Sequence, residues 1–107
     1  MKQYNVIFSP RAERQLDTLY SYIADHSGEE RAERYISDIV AFCQRLSLFP
    51  ERGTKRDDLR PGLRVVGYAK RVTVAFSVES DRVMIHGIFY GGQDYDFMIE
   101  VDEPKSS

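Results

Sequence analysis

Apolar and polar residues alternate along two stretches late in the chain. Between Arg71 and Glu79, Val72, Val74, Phe76 and Val78 share one parity, while Arg71, Thr73, Ala75 and Ser77 take the other. A period of two marks a half-buried antiparallel strand. Arg82 to Tyr90 is equally rich in Val, Ile, Phe and Tyr, and Glu79-Ser80-Asp81 between the runs has turn chemistry. Leu63 to Tyr68 predicts a third strand leading in, so the three form a short antiparallel meander. On strict alternation His86 falls with Met84, Ile88 and Tyr90. One face of the meander is expected to be covered by the preceding chain, the other to meet a partner.

Upstream the period changes. Gln3 to Phe8 reads as a strand, with Tyr4, Val6 and Phe8 opposite Asn5 and Ile7. Ser9-Pro10 then has helix-start chemistry: a serine oxygen accepts from the first-turn N–H groups, and proline is tolerated at the first helical position. Ala12, Leu16, Leu19, Tyr20 and Ile23 form one apolar stripe of helical spacing, which ends near His26-Ser27-Gly28. Ser27 with Glu30 fits a capping box for a second helix. That helix carries Ala32, Tyr35, Ile36, Ile39, Phe42, Cys43 and Leu46, and closes at Phe49-Pro50. The short link predicts an antiparallel helix hairpin. Residues 50–62 read as a polar loop. Beyond Tyr95, Phe97, Met98, Ile99 and Val101 read as a short docked segment, with a frayed tail from 102 to 107. Strand, helix, helix and three strands in that order give an α+β class, with the hairpin packed on one sheet face.

A chain of 107 residues supports one domain with a modest core. Its single cysteine, Cys43, excludes an internal disulfide and a cysteine zinc cluster, and its place in the apolar stripe makes it a buried thiol. No apolar run approaches the roughly 20 residues of a membrane span, and no secretory leader pattern is visible, so a cytoplasmic location is expected. The net charge of −2 conceals a division along the chain. Residues 1–44 hold five basic and seven acidic groups, residues 45–71 eight and three, and residues 72–107 two and seven. The middle segment is thus a basic island in an acidic chain.

Candidate chemistry is sparse. The chain has no phosphate loop, dinucleotide fingerprint, metal-ligand spacing or serine-hydrolase elbow. His86 is read either as a packed structural histidine or as an acid–base group facing a cleft. Arg60, Arg64, Lys70 and Arg71 bracket one strand and one turn and are expected to converge on one sheet end. They form either a solvated surface or a patch for phosphates or an acidic protein.

Several segments together resemble the ParE/RelE superfamily, the toxins of type II toxin–antitoxin modules. These are Ser9-Pro10-Arg11-Ala12 after the first strand, two helices closing at Phe49-Pro50, Leu59-Arg60-Pro61-Gly62-Leu63-Arg64, the hairpin from Val74 to Ile85, and Ile88-Phe89-Tyr90-Gly91-Gly92-Gln93-Asp94. The resemblance implies a RelE/ParE-like fold and one of two targets. RelE-like members cut mRNA on the ribosome with basic and tyrosine side chains, whereas the ParE-like branch is associated with poisoning DNA gyrase. Many relatives have arginine where this chain has Gly87, histidine at Tyr90 and arginine at Gln93; Arg64 and the closing Asp94 match. The loss of cations from the last strand favours a ParE-like gyrase inhibitor without chemistry of its own, metal or cofactor. Its expected partner is a ParD-like antitoxin, in a hetro-oligomer that touches DNA only through the antitoxin and serves plasmid stabilisation. The target-binding set is then Arg60, Arg64, Lys70, Arg71, Tyr90 and Asp94. The alternatives are a ribosome-dependent endoribonuclease using Arg64, Arg71, His86 and Tyr90, and a degenerate toxin that binds only antitoxin.

Overall fold

The computed structural model describes residues 4–91. The elements are β1 (Asn5–Phe8), α1 (Pro10–Ser27), α2 (Glu29–Arg45), β2 (Thr54–Lys55), β3 (Leu63–Tyr68), β4 (Val72–Glu79) and β5 (Arg82–Tyr90). The α+β reading, the helix hairpin and the β3–β4–β5 meander are as predicted. The sheet is wider than the meander, with strand order β1-β5-β4-β3-β2. β1 lies parallel to β5, with Asn5 opposite Arg82 and Phe8 opposite Ile85. β2 adds an antiparallel edge within the stretch predicted as a polar loop, pairing Thr54 with Val65 and Lys55 with Arg64. The proposed segment beyond Tyr95 lies outside the described residues.

The helices pack on one face of the sheet. Val72, Val74, Phe76, Val83, Ile85 and Ile88 meet Ala12, Leu19, Ile23, Ala32, Ile39, Phe42, Cys43 and Leu46 there. Phe76 and Ile39 are wholly buried. The opposite face is not bare: Leu59, Leu63, Val65, Ala75 and Phe89 form a second, smaller core. Ala75 is therefore buried although it sits on the polar parity of β4.

Two local expectations are revised. Ser27 does not cap α2, because it is the last residue of α1 and the link is a single residue, Gly28. With φ of 98°, Gly28 serves both helices, donating its N–H to Ala24 O and accepting from Ala32 N–H. The second helix also stops before Phe49-Pro50. Leu46, Ser47 and Leu48 donate to carbonyls three residues back, which tightens the chain into turns after Arg45.

The third revision changes side-chain directions. Ala75 pairs with Gly87 and Phe76 with Ile85, which leaves His86 as the extra residue of a β-bulge. The bulge resets the alternation. Ile88 and Tyr90 pack with the helix-side core and Phe89 with the opposite one, so His86 no longer shares a face with Ile88 and Tyr90.

Candidate functional site: a basic pocket and a tyrosine cluster at opposite ends of the sheet

The basic residues do not gather at one sheet end. Arg60 precedes β3, and Lys70 and Arg71 follow it. Six residues at about 3.3 Å each put about 20 Å of strand between them. Sequence adjacency suggested convergence; the extended strand between them prevents it.

Arg64 lies within β3 on the helix-side parity shared with Val66 and Tyr68. Its Nη1 donates to Glu51 O at 3.0 Å and Arg52 O at 3.3 Å. The guanidinium therefore ties the segment after α2 to the sheet.

At the β3–β4 turn, Lys70 and Arg71 are exposed, and Arg71 O accepts from Gly91 N–H at 2.8 Å. Tyr90 sits between the helices, with ring centroids 6.3 Å from Tyr22 and 6.2 Å from Tyr35, the latter edge to face. Tyr68 joins from β3, 4.8 Å from Phe42. Burial raises the Tyr35 phenol above its ordinary value; Tyr90 and Tyr68 add to the rise and Arg71 opposes it. Arg71 and Tyr90 thus share one end of the fold. Asp94 lies outside the described residues.

The other end holds an open pocket of about 300 Å³, lined by Ser9, Arg11, Arg14, Arg60, Leu63 and His86 among others. Ser9 links β1 to α1 and anchors its rim. Its N–H donates to Ile85 O at 2.9 Å, and its Oγ accepts from Ala12 N–H and donates to His86 O, both at 3.1 Å. The loop carrying Arg60 is held by a two-point Arg56–Asp58 pair at 3.0 and 2.9 Å and by Asp57 Oδ1 accepting from Gly62 N–H at 2.8 Å. The hydrogen bond from Arg56 holds the Asp58 carboxyl below the usual carboxylate range.

His86 projects from the bulge on the side away from the helices. Its Nε2 lies 2.7 Å from Ser77 Oγ, which donates to Glu79 Oε2 at 3.1 Å. Ser77 has one hydroxyl proton, so His86 Nε2 carries the hydrogen and donates, leaving Nδ1 as the acceptor. Burial lowers the His86 pKa, Arg60 and Arg11 lower it further, and Glu79 works against them. Burial also lowers the Arg11 pKa, helped by Arg14 and Arg60. These guanidiniums are close enough to feel one another.

Sequence reasoning overlooked Arg11 and Arg14, which lie in the net-acidic first third. The available signal was their three-residue spacing just after a Ser-Pro helix start, which puts both on one side of the first turns. The candidate ribonuclease set is divided: Arg64 and Tyr90 point to the helix side, Arg71 stands at the β3–β4 turn, and His86 faces away near the other end. Gly87 also has a structural reason. A Cβ there would come within 2.6 Å of Phe89 Cε2 and Cζ and 3.3 Å of Gln15 Oε1. Among the described residues no group of three or more His, Cys, Asp or Glu is placed to hold a metal, and no helix is long and apolar enough to cross a membrane.

Residues 6–95 match the family model for the ParE toxin of the type II toxin–antitoxin system, parDE. The chain belongs to the ParE toxin family. Toxin ParE3 of Caulobacter vibrioides is 33% identical over 76 residues, which is 71% of this chain and 75% of that protein. A chain from the chromosomal ParDE system of P. aeruginosa superposes with a TM-score of 0.73 at 22% identity, covering 83% of this chain and 97% of its own; this likeness shows the shared fold. The resemblance to the wider superfamily thus narrows to its ParE branch, and the chain is a ParE-type toxin of a type II toxin–antitoxin system.

Proposed function

We propose that this ParE-family toxin acts by binding DNA gyrase rather than by cutting RNA, and that a ParD-like antitoxin holds it inactive in the cytoplasm. The division of Arg64, Arg71, His86 and Tyr90 between two faces and two ends carries this reading. Metal-free RNA cleavage needs a base at the 2′-hydroxyl, cations at the phosphorane and an acid at the leaving oxygen, all within hydrogen-bond reach of one phosphate. About 13 Å of strand separates His86 from Tyr90, and the sheet itself lies between His86 and the helix-side Arg64. Binding has no such requirement. Lys70 and Arg71 form an exposed basic end suited to an acidic protein surface, with Tyr90 packed beneath them. Arg60 and Arg64 contribute elsewhere on the same target surface, and Asp94 completes the proposed set. The antitoxin is an acidic chain that folds over the helix hairpin and sheet, and it supplies any DNA contact of the hetero-oligomer.

The test is paired. The purified chain should inhibit supercoiling by gyrase and leave ribosome-bound mRNA intact, and a Lys70→Glu, Arg71→Glu variant should lose inhibition while staying folded. Cleavage of mRNA with normal supercoiling would reassign the chain to the ribonuclease mechanism. No growth arrest on expression without antitoxin would mark a toxin that only binds its partner.

A further inference from the structure

The pocket at the start of α1 shares only Arg60 with that proposal. Three elements distant in sequence build it: the first turns of α1 supply Arg11 and Arg14, the loop before β3 supplies Arg60, and the β5 bulge supplies His86. Like charges brought together inside a concave surface repel one another, and folding gains nothing from that arrangement alone. Among the described residues no carboxylate pairs with Arg14 or Arg60. Glu79, linked to His86 through Ser77, is engaged by the Ser77 hydroxyl and lies 3.8 Å from Arg82 Nη2. The positive end of the α1 dipole adds to the same field.

We infer that Arg14 and Arg60, with Arg11 beside them and the His86 ring as one wall, form a binding site for one phosphate-class oxyanion. Guanidinium forks from α1 and from the loop reach the pocket from different directions. Together they offer more donors than the two oxygens of one carboxylate can accept, whereas a tetrahedral phosphate presents three or four acceptors. The volume is at the lower end of the range of about 300–1,000 Å³ for ligand pockets, enough for a phosphoryl group and the first part of its carrier. The Ser77–Glu79 relay fixes the His86 ring and Ser9 fixes the bulge carbonyl, so this wall of the pocket is set before a ligand arrives. The phosphate can belong to a free nucleotide or to the end of a nucleic-acid strand; both present the same group.

The experiment is a titration of the ¹⁵N-labelled full chain, followed by amide and His86 ring shifts. Inorganic phosphate, a nucleoside 5′-monophosphate and a 5′-phosphorylated oligonucleotide are compared at constant ionic strength against chloride. Saturable shifts at Ser9–Arg14, Arg60 and His86 are expected, with affinity reduced about tenfold or more in Arg14→Gln and again in Arg60→Gln. Arg14 is exposed, so its variant should keep the fold, as circular dichroism would verify. Tighter binding of the monophosphate than of phosphate assigns a nucleotide carrier; tighter binding of the oligonucleotide than of either assigns a strand end. Shifts no larger than those from chloride would overturn the inference. So would saturable shifts that persist unchanged in the Arg14→Gln, Arg60→Gln double variant, or a preference for an acidic peptide over every phosphate.

Discussion

Gly87→Ala should destabilise the toxin, and the cost should vanish once the Phe89 ring is removed. Gly87 is not among the glycines at positive φ, so an alanine there meets no backbone penalty. It should gain about 0.4–1 kcal/mol by restricting the unfolded chain. Against this, its Cβ would lie 2.6 Å from two ring carbons of Phe89 and 3.3 Å from Gln15 Oε1. Phe89 is only 1% exposed and packs with Leu59, Leu63, Val65 and Ala75, so the ring has little room to yield. Gln15 Oε1 accepts from Ile88 N–H at 2.7 Å, so its retreat also has a cost. Overpacking of this kind costs about 1–3 kcal/mol, so after the entropic gain the net loss is centred a little above about 1 kcal/mol and reaches about 2.5 kcal/mol. Urea unfolding followed by circular dichroism should show the midpoint falling by about 0.5–1 M at ordinary slopes. In a Phe89→Leu background the two ring carbons are absent, and Gly87→Ala should be neutral or mildly stabilising. The coupling between the sites should therefore be about 1 kcal/mol or more. An equal cost in both backgrounds, or a neutral Gly87→Ala in the parent chain, would refute the account of why glycine stands there.

Four further outcomes test other parts of the structure. Phe76→Ala should cost about 3–5 kcal/mol and Ile39→Ala about 2–5 kcal/mol in the same unfolding assay; less than about 1 kcal/mol at either site would contradict the burial described. Ser9→Ala removes the α1 cap and the bond to His86 O, and should lower stability by about 1–2 kcal/mol with faster hydrogen exchange at Ala12, whereas an unchanged melt would show the cap to be idle. Burial pushes the Cys43 thiol up to about 12, so a disulfide reagent at mildly alkaline pH should label it only after denaturation, and rapid native labelling would show the helix interface to be open. His86 has a folded pKa below the ordinary value of 6.5, so the unfolded chain takes up a proton first as pH falls. The His86 contribution is thus retained at neutral pH and lost through and below about 6.5; a ring titration with its midpoint at or above the ordinary value would contradict this.

The elements with a strong hydrophobic period were legible from the residues. Alternation placed Val72, Val74, Phe76 and Val78 on the helix side of β4, and the helical stripes identified Ala12, Leu19, Ile23, Ile39 and Cys43 as core. β2 was not legible, because Thr54 and Lys55 are both exposed and take strand form only through pairing with β3. The bulge escaped for a different reason. Strict alternation carries no signal for one inserted residue, and His86 shifts the faces of everything after it. The basic pocket was hidden because Arg11, Arg14, Arg60 and His86 are separated in sequence and meet only when β1 lies beside β5. Arg60, Lys70 and Arg71 show the reverse case, close along the chain yet at opposite ends of a strand.

The parallel pairing of β1 with β5 also sets an order of events during synthesis. The bond from Ser9 Oγ to His86 O spans 77 positions. At about 5–20 residues per second, about 4–15 seconds pass between translation of its two ends. The two helices can form and pair in that interval, but the sheet has no edge for β1 until its last strand emerges. A nascent copy therefore spends most of its elongation without the pocket and without a finished core, with its apolar helix stripes open to whatever chaperone or partner is nearby.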